Sequence, residues 1–381
     1  MISRFQYFIK SANHQAFFII KLIQGYKIDR IPATIFLEDG TRLEGISFGY
    51  PESVAGEVVF STGMVGYPES LSDPSYYGQI LVLTYPLIGN YGMPPLVAKN
   101  HLQNYYEAPA AQISALIVDD YSRAYSHWNA RSGLAQWLYN QRVPAVSDID
   151  TRSLTKRLRE KGTMLGKIII GNKDVDFYDP NRDNLVAKVS VDKPVIYGKG
   201  NKRVALLDCG CKHNIIREMI KRDVEILRLP WNYPLEEDSF DGLLISSGPG
   251  DPKMCQPTIK QVQKSLNNGT PTFGICLGHQ IIALAIGGDT EKMKYGHRSQ
   301  NQPVKDTQNG KAYVTTQNHG FVVKRDDLPS DWKFSFVNLN DNSNEGLFHQ
   351  SGKFFSTQFH PEAAPGPTDT TFLFDKFVEL L

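Results

Sequence analysis

A short apolar strand, a single cysteine and a helix-forming run meet in Gly274-Ile-Cys276-Leu-Gly278-His-Gln280. The spacing is that of the G-x-S-x-G nucleophile elbow with Cys in place of Ser, and only glycine permits its close backbone approach. A thiol at a helix N-terminus is stabilised as the thiolate, and the N–H of Leu277 is placed to stabilise an oxyanion. We therefore predict a nucleophile at Cys276, the alternative being a buried structural cysteine.

A base for this thiol is predicted near the C-terminus, in Phe359-His360-Pro-Glu362, directly after a strand-like run. The proline fixes the backbone between His360 and Glu362, so the imidazole and the carboxylate can point into one site. His279 and His319 are weaker candidates for the base, since a histidine chosen at random is more often a satisfied polar residue.

A third segment, Ser246-Ser-Gly248-Pro-Gly250-Asp-Pro252, also follows a strand-like run. Backbone N–H groups in such a turn can bind an oxyanion or a carboxylate, although most glycine-proline turns only reverse the chain. No G-x-x-x-x-G-K-S/T phosphate loop occurs in the sequence. We therefore expect no ATP hydrolysis by this chain.

Strands and helices alternate around the elbow. The predicted strands cover 204–208, 224–229, 242–246 and 272–275, and the predicted helices cover 214–221, 258–267 and 278–286. This rhythm predicts an α/β fold whose mostly parallel sheet is flanked by helices. Ligands of such folds bind beyond the carboxyl ends of the strands, where the elbow lies.

The first half of the chain predicts a β-rich mixed α/β domain. Strand-like runs at 34–37 and 41–48 flank a turn and indicate a hairpin, and Asp150 can cap a helix over 151–161. The predicted organisation is an extension over 1–32, a first domain over 33–196, a linker over 197–203 and a second domain over 204–381.

Composition excludes several classes of function. The 381 residues carry 41 Lys and Arg against 40 Asp and Glu, a net charge of +1, so no basic excess attracts nucleic acid or an anionic membrane. The longest apolar run near the start covers only 16–23 and contains Lys21, which is too short for a membrane span. Four cysteines suit a reducing compartment rather than a disulfide scaffold.

The N-terminal extension carries basic residues but no acidic residue before Asp29. This pattern is typical of a mitochondrial transit peptide, which predicts the mitochondrial matrix as the location, with the cytoplasm as the alternative. A frayed extension without a role and a secretory signal built on 16–23 are the competing interpretations.

With the elbow and His360-Pro-Glu362, the sequence resembles the class I, or triad, glutamine amidotransferases. From residue 33 to 381 it is similar, within that class, to the small, glutaminase subunits of carbamoyl-phosphate synthetase. The motifs that narrow the resemblance lie in the first half: Leu37-Glu-Asp-Gly40, Gly56-Glu-Val-Val-Phe60, Asp73-Pro-Ser75-Tyr, Thr84-Tyr-Pro-Leu-Ile-Gly-Asn90 and Asp148-Ile-Asp-Thr-Arg152.

The resemblance implies a role for each matching residue. Cys276 would form a glutamyl thioester, His360 would act as general acid and base, and Glu362 would orient it. Gly250 and Leu277 would supply the oxyanion N–H groups. The residues expected to contact glutamine are Ser75, Gly248, Gly250, Leu277, Gln280, Asn318, Gly320 and Phe321.

The resemblance also implies the partners. L-glutamine would be the substrate, and the ammonia would pass to a large synthetase subunit that uses ATP and bicarbonate, with no cofactor or metal in this chain. The product could feed arginine or pyrimidine synthesis. The rival interpretations are an amidotransferase for anthranilate or GMP synthesis and a catalytically silent regulatory subunit, which would most simply have lost a triad residue.

Overall fold

The computed structural model describes residues 31–99, 102–325 and 328–381. Its strands are β1 Ile31–Leu37, β2 Arg42–Ser47, β3 Val54–Ser61, β4 Gln79–Leu83, β5 Leu87–Ile88, β6 Ala98–Lys99, β7 Leu102–Gln103, β8 Ala115–Ile117, β9 Asp120–Tyr121, β10 Ala145–Ser147, β11 Met164–Ile170, β12 Val195–Tyr197, β13 Lys202–Asp208, β14 Val224–Pro230, β15 Gly242–Ile245, β16 Thr272–Ile275, β17 Thr290–Asp306, β18 Ala312–Val323, β19 Trp332–Asn338, β20 Asn344–His349 and β21 Phe354–Thr357. Its α-helices are α1 Tyr67–Leu71, α2 Leu134–Asn140, α3 Thr151–Lys161, α4 Val186–Val189, α5 His213–Ile220, α6 Gln256–Asn267, α7 Leu277–Ala285 and α8 Phe372–Val378.

Seven strands of the first half close into a barrel in the order β1-β11-β3-β4-β8-β10-β2. The predicted hairpin is present, because β1 pairs antiparallel with β2 and places Ile35 opposite Leu43. Successive residues of a strand point to opposite faces, so Val58 and Val59 of β3 enter two separate apolar clusters. The barrel is therefore packed on its inside and on part of its outside.

Helix α3 has the bounds that the sequence predicts. The Asp150 carboxylate accepts a hydrogen bond from the Ser153 N–H at 2.8 Å, which caps the helix at its start. Leu154 and Leu158, four residues apart, are buried together against the barrel, and Gly162 ends the helix with a φ of 104°. The fold of this segment follows from local sequence alone.

The second half forms a ten-stranded sheet in the order β12-β14-β13-β15-β16-β21-β20-β19-β17-β18. The five strands β14, β13, β15, β16 and β21 are parallel, as predicted. Helices α5 and α8 pack on one face, and α6 and α7 pack on the other. Beyond β21 the sheet continues as four antiparallel strands, which the apolar patterns did not indicate.

The predicted linker and the extension differ in detail from the structure. Tyr197 pairs with Ile226 at the end of β12, and β13 already begins at Lys202, so only residues 198–201 connect the two strands. The predicted extension over 1–32 lies outside the described residues, except that Ile31 and Pro32 begin β1. The domain bounds stay a prediction.

The barrel and the sheet meet beside the elbow. The side-chain amide of Asn318 donates to the Asp73 carboxylate at 2.9 Å, and the Thr163 N–H donates to the Lys294 carbonyl at 2.8 Å. Each pair joins a residue of the first half to a residue of β17 or β18. Within the described part of the chain, no helix is both long and apolar enough to cross a membrane.

Candidate active site

Cys276 stands between β16 and α7 in a strained backbone conformation, with φ 55° and ψ −102°. Both glycines of the elbow, Gly274 and Gly278, are required because a side chain at either position would clash with the backbone. A Cβ on Gly274 would lie 2.6 Å from the carbonyl oxygen of Gly278, and one on Gly278 would lie 2.3 Å from that of Ile245. A nucleophile elbow uses such strain to expose its reactive atom at the top of the sheet. The structure thus confirms the predicted elbow.

The sulfur of Cys276 faces polar groups. Its Sγ lies 3.7 Å from the Asn318 carbonyl oxygen and 3.6 Å from the side-chain nitrogen of Gln358. Leu277 is the first residue of α7, so its N–H has no acceptor within the helix. This N–H and the positive end of the helix dipole are available to a negative oxygen formed next to the sulfur.

His360 and Glu362 are joined as predicted, with Nδ1 of the imidazole 2.6 Å from Oε1 of the carboxylate. Both side chains are buried. Burial alone would lower the pKa of His360, but the Glu362 carboxylate and the Cys276 side chain outweigh it and raise the pKa to about 10. The imidazole is therefore held in its protonated form by its pair with Glu362 and by its interaction with the Cys276 side chain.

Lys212 completes this site, and sequence reasoning missed it. Its Nζ lies 3.1 Å from Oε1 of Glu362 and donates to the Ala363 carbonyl at 2.6 Å. Burial would raise the pKa of Glu362, yet Lys212 and then His360 lower it to about 2. A usable signal existed, because Lys212 follows β13 and so lies beyond the carboxyl end of a central parallel strand.

The residues expected to contact glutamine gather around the sulfur. One pocket, here called the elbow pocket, is lined by Cys276 and by seven of the predicted contacts, namely Ser75, Gly248, Gly250, Gln280, Asn318, Gly320 and Phe321. The eighth, Leu277, adjoins Cys276 in the chain. Ser75 comes from the barrel half, where its N–H donates to the Asp73 carboxylate at 2.9 Å. Their contact with glutamine stays a prediction.

The two alternative histidines have other partners. The Nδ1 of His279 lies 2.9 Å from the Ser356 hydroxyl, and burial lowers the pKa of His279 to about 3, so its ring is neutral. His319 lines the elbow pocket, but its Nδ1 lies 2.8 Å from the Phe321 carbonyl and burial lowers its pKa well below the usual value. Neither ring pairs with a carboxylate that could make it a base as His360 is.

The other three cysteines are buried thiols whose surroundings differ from those of Cys276. Burial raises the pKa of Cys209 and Cys211 well above the usual value, and that of Cys255 to about 12. These thiols stay protonated and unreactive at neutral pH. Of the four cysteines, only Cys276 stands in an elbow.

Two cations and one carboxylate of the elbow pocket were also missed. Lys292 of β17 forms an ion pair with Glu57 of β3 at 2.6 Å, and Arg298 lies nearby on β17. Glu57 belongs to a motif that the sequence singled out, but nothing local indicates its partner on a distant strand. Pairing between strands so far apart in sequence is set by the tertiary fold.

A possible metal-ligand cluster lies behind the pocket, where His297, His319 and Glu345 bring their ligand atoms within 4.8 Å of one another. His297 also lies 2.8 Å from the Asp341 carboxylate. Burial would lower the pKa of His297, but Asp341 and Glu345 raise it to about 9. His297 is thus paired with two carboxylates, and the contacts seen in this cluster are those of an ion-pair network.

Comparison with known proteins first identifies the class of protein to which the chain is similar. Residues 205–380 match the family model for class I glutamine amidotransferases, in keeping with the elbow at Cys276, the pair of His360 and Glu362 and the helix-flanked sheet. Residues 35–168 match the model for the carbamoyl-phosphate synthase small chain.

Two similar proteins narrow the assignment from this class to one family. The arginine-specific carbamoyl phosphate synthase small chain of Saccharomyces cerevisiae is 49% identical, over 91% of this chain and 88% of its own length. That of Neurospora crassa is 46% identical, over 91% of this chain and 79% of its own length. The chain therefore belongs to the carbamoyl-phosphate synthase small chain family.

Several longer proteins contain a region similar to this chain. A mitochondrial carbamoyl-phosphate synthase of Aquarana catesbeiana, whose name specifies ammonia, is 50% identical over 92% of this chain. The chain spans only 24% of that relative's length, and 24% of the human one. The relatives therefore include both separate small chains and much larger proteins.

The buried ion pair of Lys212 can be tested by substitution. We expect Lys212→Met to lower the free energy of unfolding by about 3–5 kcal/mol, because it leaves the buried Glu362 carboxylate without its cation. Urea denaturation measures the change. The control is Lys202→Met, which removes an exposed lysine 3.7 Å from Asp241 and should change little. Equal effects of the two substitutions would contradict the assignment.

Proposed function

We propose that this chain is the glutaminase component of a carbamoyl-phosphate synthase. It hydrolyses glutamine to glutamate and ammonia and delivers the ammonia to a large, ATP-dependent synthetase partner, which makes carbamoyl phosphate from bicarbonate. The observation that carries the proposal is the strained Cys276 at the top of the sheet, beside an imidazole that a buried carboxylate holds protonated. A thiolate beside an imidazole that has taken its proton supplies both a nucleophile and an acid.

The proposed reaction has two stages. The Cys276 thiolate attacks the carboxamide carbon of glutamine, and the resulting oxyanion accepts hydrogen bonds from the N–H groups of Leu277 and Gly250. His360 then gives its proton to the departing nitrogen, so ammonia leaves and a glutamyl thioester remains. In the second stage His360 takes a proton from water, whose oxygen attacks the thioester and releases glutamate and the thiolate.

In this proposal the elbow pocket holds the rest of glutamine through the eight predicted contacts. Gln280 is itself fixed, since its side-chain nitrogen donates to the Phe321 carbonyl at 2.8 Å and to the Gln358 side chain at 3.0 Å. A contact residue held in one rotamer loses little entropy when a ligand binds. Asn318 is fixed in the same way by Asp73.

The rival functions have less support than the glutaminase function. An amidotransferase of anthranilate or GMP synthesis would not account for the match of residues 35–168 to the small-chain model. A silent subunit is the second candidate, because several relatives are named for ammonia. The paired His360 and Glu362, with Lys212 behind them, favour an active glutaminase instead.

For the pathway and the compartment, we propose arginine synthesis in the mitochondrial matrix. The yeast and Neurospora small chains are named arginine-specific, and four vertebrate relatives are named mitochondrial. The acid-free N-terminal sequence supports the same location. Pyrimidine synthesis and the cytoplasm are the alternatives.

The proposed nucleophile can be tested by substitution. Cys276→Ala removes the only atom that can form the thioester, so glutamine hydrolysis should fall at least about 1,000-fold, measured as glutamate release. His360→Asn should be comparably severe, whereas Glu362→Gln should cost less because it disturbs only the orientation and charge of the ring. The control is Cys255→Ser, a buried cysteine outside the elbow pocket, which should retain activity. An active Cys276→Ala variant would end the proposal.

A further prediction concerns the partner. Alone, the chain should hydrolyse glutamine slowly and turn over no ATP, since it has no phosphate loop. Adding the cognate large subunit with ATP and bicarbonate should raise the glutaminase rate, because the two sites are coupled. The complex carrying Cys276→Ala should still make carbamoyl phosphate from added ammonia. Robust ATPase activity of the lone chain would overturn the division of labour.

The compartment can be tested by truncation. Deleting residues 1–30 should leave glutaminase activity nearly unchanged, because β1 begins at Ile31, and should abolish import into mitochondria. Fractionation of cells that express the full and the truncated chain measures both. A full-length chain that stays in the cytosol would show the targeting interpretation to be wrong.

A further inference from the structure

Arg298 is a buried cation in the elbow pocket that neither the triad nor the expected glutamine contacts explain. It lies on β17 opposite Asn318 and lines the same pocket as Cys276, with only 5% of its surface exposed. Its Nη1 donates to the Tyr295 carbonyl at 2.7 Å. Its Nε has no hydrogen-bond partner among the described residues. A buried donor without a partner is costly, so this one calls for a ligand.

Two cationic side chains, Lys292 and Arg298, line the pocket together with one carboxylate. Glu57 is the one carboxylate in the lining, and it is already engaged by the Lys292 ammonium at 2.6 Å, the Gln79 amide at 2.9 Å and the Thr163 hydroxyl at 3.2 Å. The Glu57 carboxylate and the Cys276 side chain act on the Arg298 guanidinium electrostatically, but no carboxylate among the described residues is hydrogen-bonded to it. Its unpartnered Nε can therefore bind the carboxylate of a ligand in the pocket.

Two glycines make room for the guanidinium. A Cβ on Gly320 would lie 3.1 Å from Nη2 of Arg298, and one on Gly296 would lie 2.6 Å from Nη1. Gly296 also has a φ of 70°, which disfavours any side chain. The backbone around Arg298 is thus shaped to hold the guanidinium beside Gly320, one of the expected glutamine contacts.

We propose that Arg298 binds the α-carboxylate of glutamine while the carboxamide lies at Cys276, and that it thereby selects glutamine among amides. The inference rests on the proposed glutaminase function and adds a specificity residue to it. A guanidinium N–H bound to a carboxylate is among the stronger hydrogen bonds in proteins. Because Arg298 and Cys276 line the same pocket from packed strands and the elbow, we expect a shorter amide such as asparagine to reach both groups less well than glutamine does.

The test compares two substrates that differ only in the carboxylate, glutamine and 4-aminobutanamide. Arg298→Gln should lower kcat/KM for glutamine by about 10- to 100-fold, mainly through KM, because a charged hydrogen bond to the substrate is lost. Hydrolysis of 4-aminobutanamide should stay within about threefold of the wild-type value, since it never makes that bond. Arg298→Lys should recover part of the preference for glutamine.

A matched control is Arg203→Gln. Arg203 also lies on a strand and pairs with a carboxylate, Glu225 at 2.5 Å, but outside the elbow pocket, so its loss should not alter the substrate preference. An equal fall for both substrates in Arg298→Gln would show a merely structural role and overturn the inference, as would no change in either. Circular dichroism checks the fold, and if Arg298→Gln does not fold, the substrate preference of Arg298→Lys decides.

A binding measurement separates this inference from the glutaminase function. Calorimetric titration of glutamine into Cys276→Ala, with and without Arg298→Gln, needs no turnover. Affinity should fall about 10- to 100-fold in the double variant. If the wild-type chain binds glutamine but does not hydrolyse it, the glutaminase function fails and the Arg298 inference is judged on this affinity alone. Equal affinity in the two variants would overturn the Arg298 inference while leaving the glutaminase function intact.

Discussion

The ion pair between Lys212 and Glu362 is the interaction on which the geometry of the site depends. Removing a carboxylate from water costs several kcal/mol unless a cation and hydrogen bonds compensate, and Lys212 provides that compensation from a fully buried position. With Glu362 kept ionised, Nδ1 of His360 is bound as a donor, and Nε2 is left for the chemistry at the sulfur. Lys212 and Glu362 thus fix the orientation of the His360 ring.

The same buried polar network ties the two halves of the chain together. Glu107, from the first half, also acts on Lys212 and raises its pKa, against the effect of burial. Its own carboxylate binds Arg217 at 2.5 Å and accepts from the Asn214 N–H at 3.0 Å, both in α5. The charged side chains behind the triad therefore form one unit with the packing of the barrel half against the sheet.

Sequence reasoning succeeded where the deciding contacts are local. The elbow, the capped helix α3 and the five parallel strands follow from glycine spacing, an N-cap and apolar runs, all of which act within a few residues. The contact between His360 and Glu362 could be predicted because a nucleophile needs a base and a group that orients the base. Lys212 and Arg298 were missed because their roles depend on partners that only the folded sheet brings near. The four antiparallel strands beyond β21, namely β17 to β20, were missed because their sequences lack the simple alternation of apolar and polar residues that marks an exposed strand.

Ser75 reaches the elbow pocket from the barrel, on a short turn that Asp73 holds against Asn318. The residues that line the elbow pocket thus come from two distant parts of the sequence. Recombination that joined the sheet half to an unrelated leading segment would leave the triad intact and the pocket open on one side. We therefore expect this site to be inherited as a single block, because its two halves are joined by contacts such as this hydrogen bond.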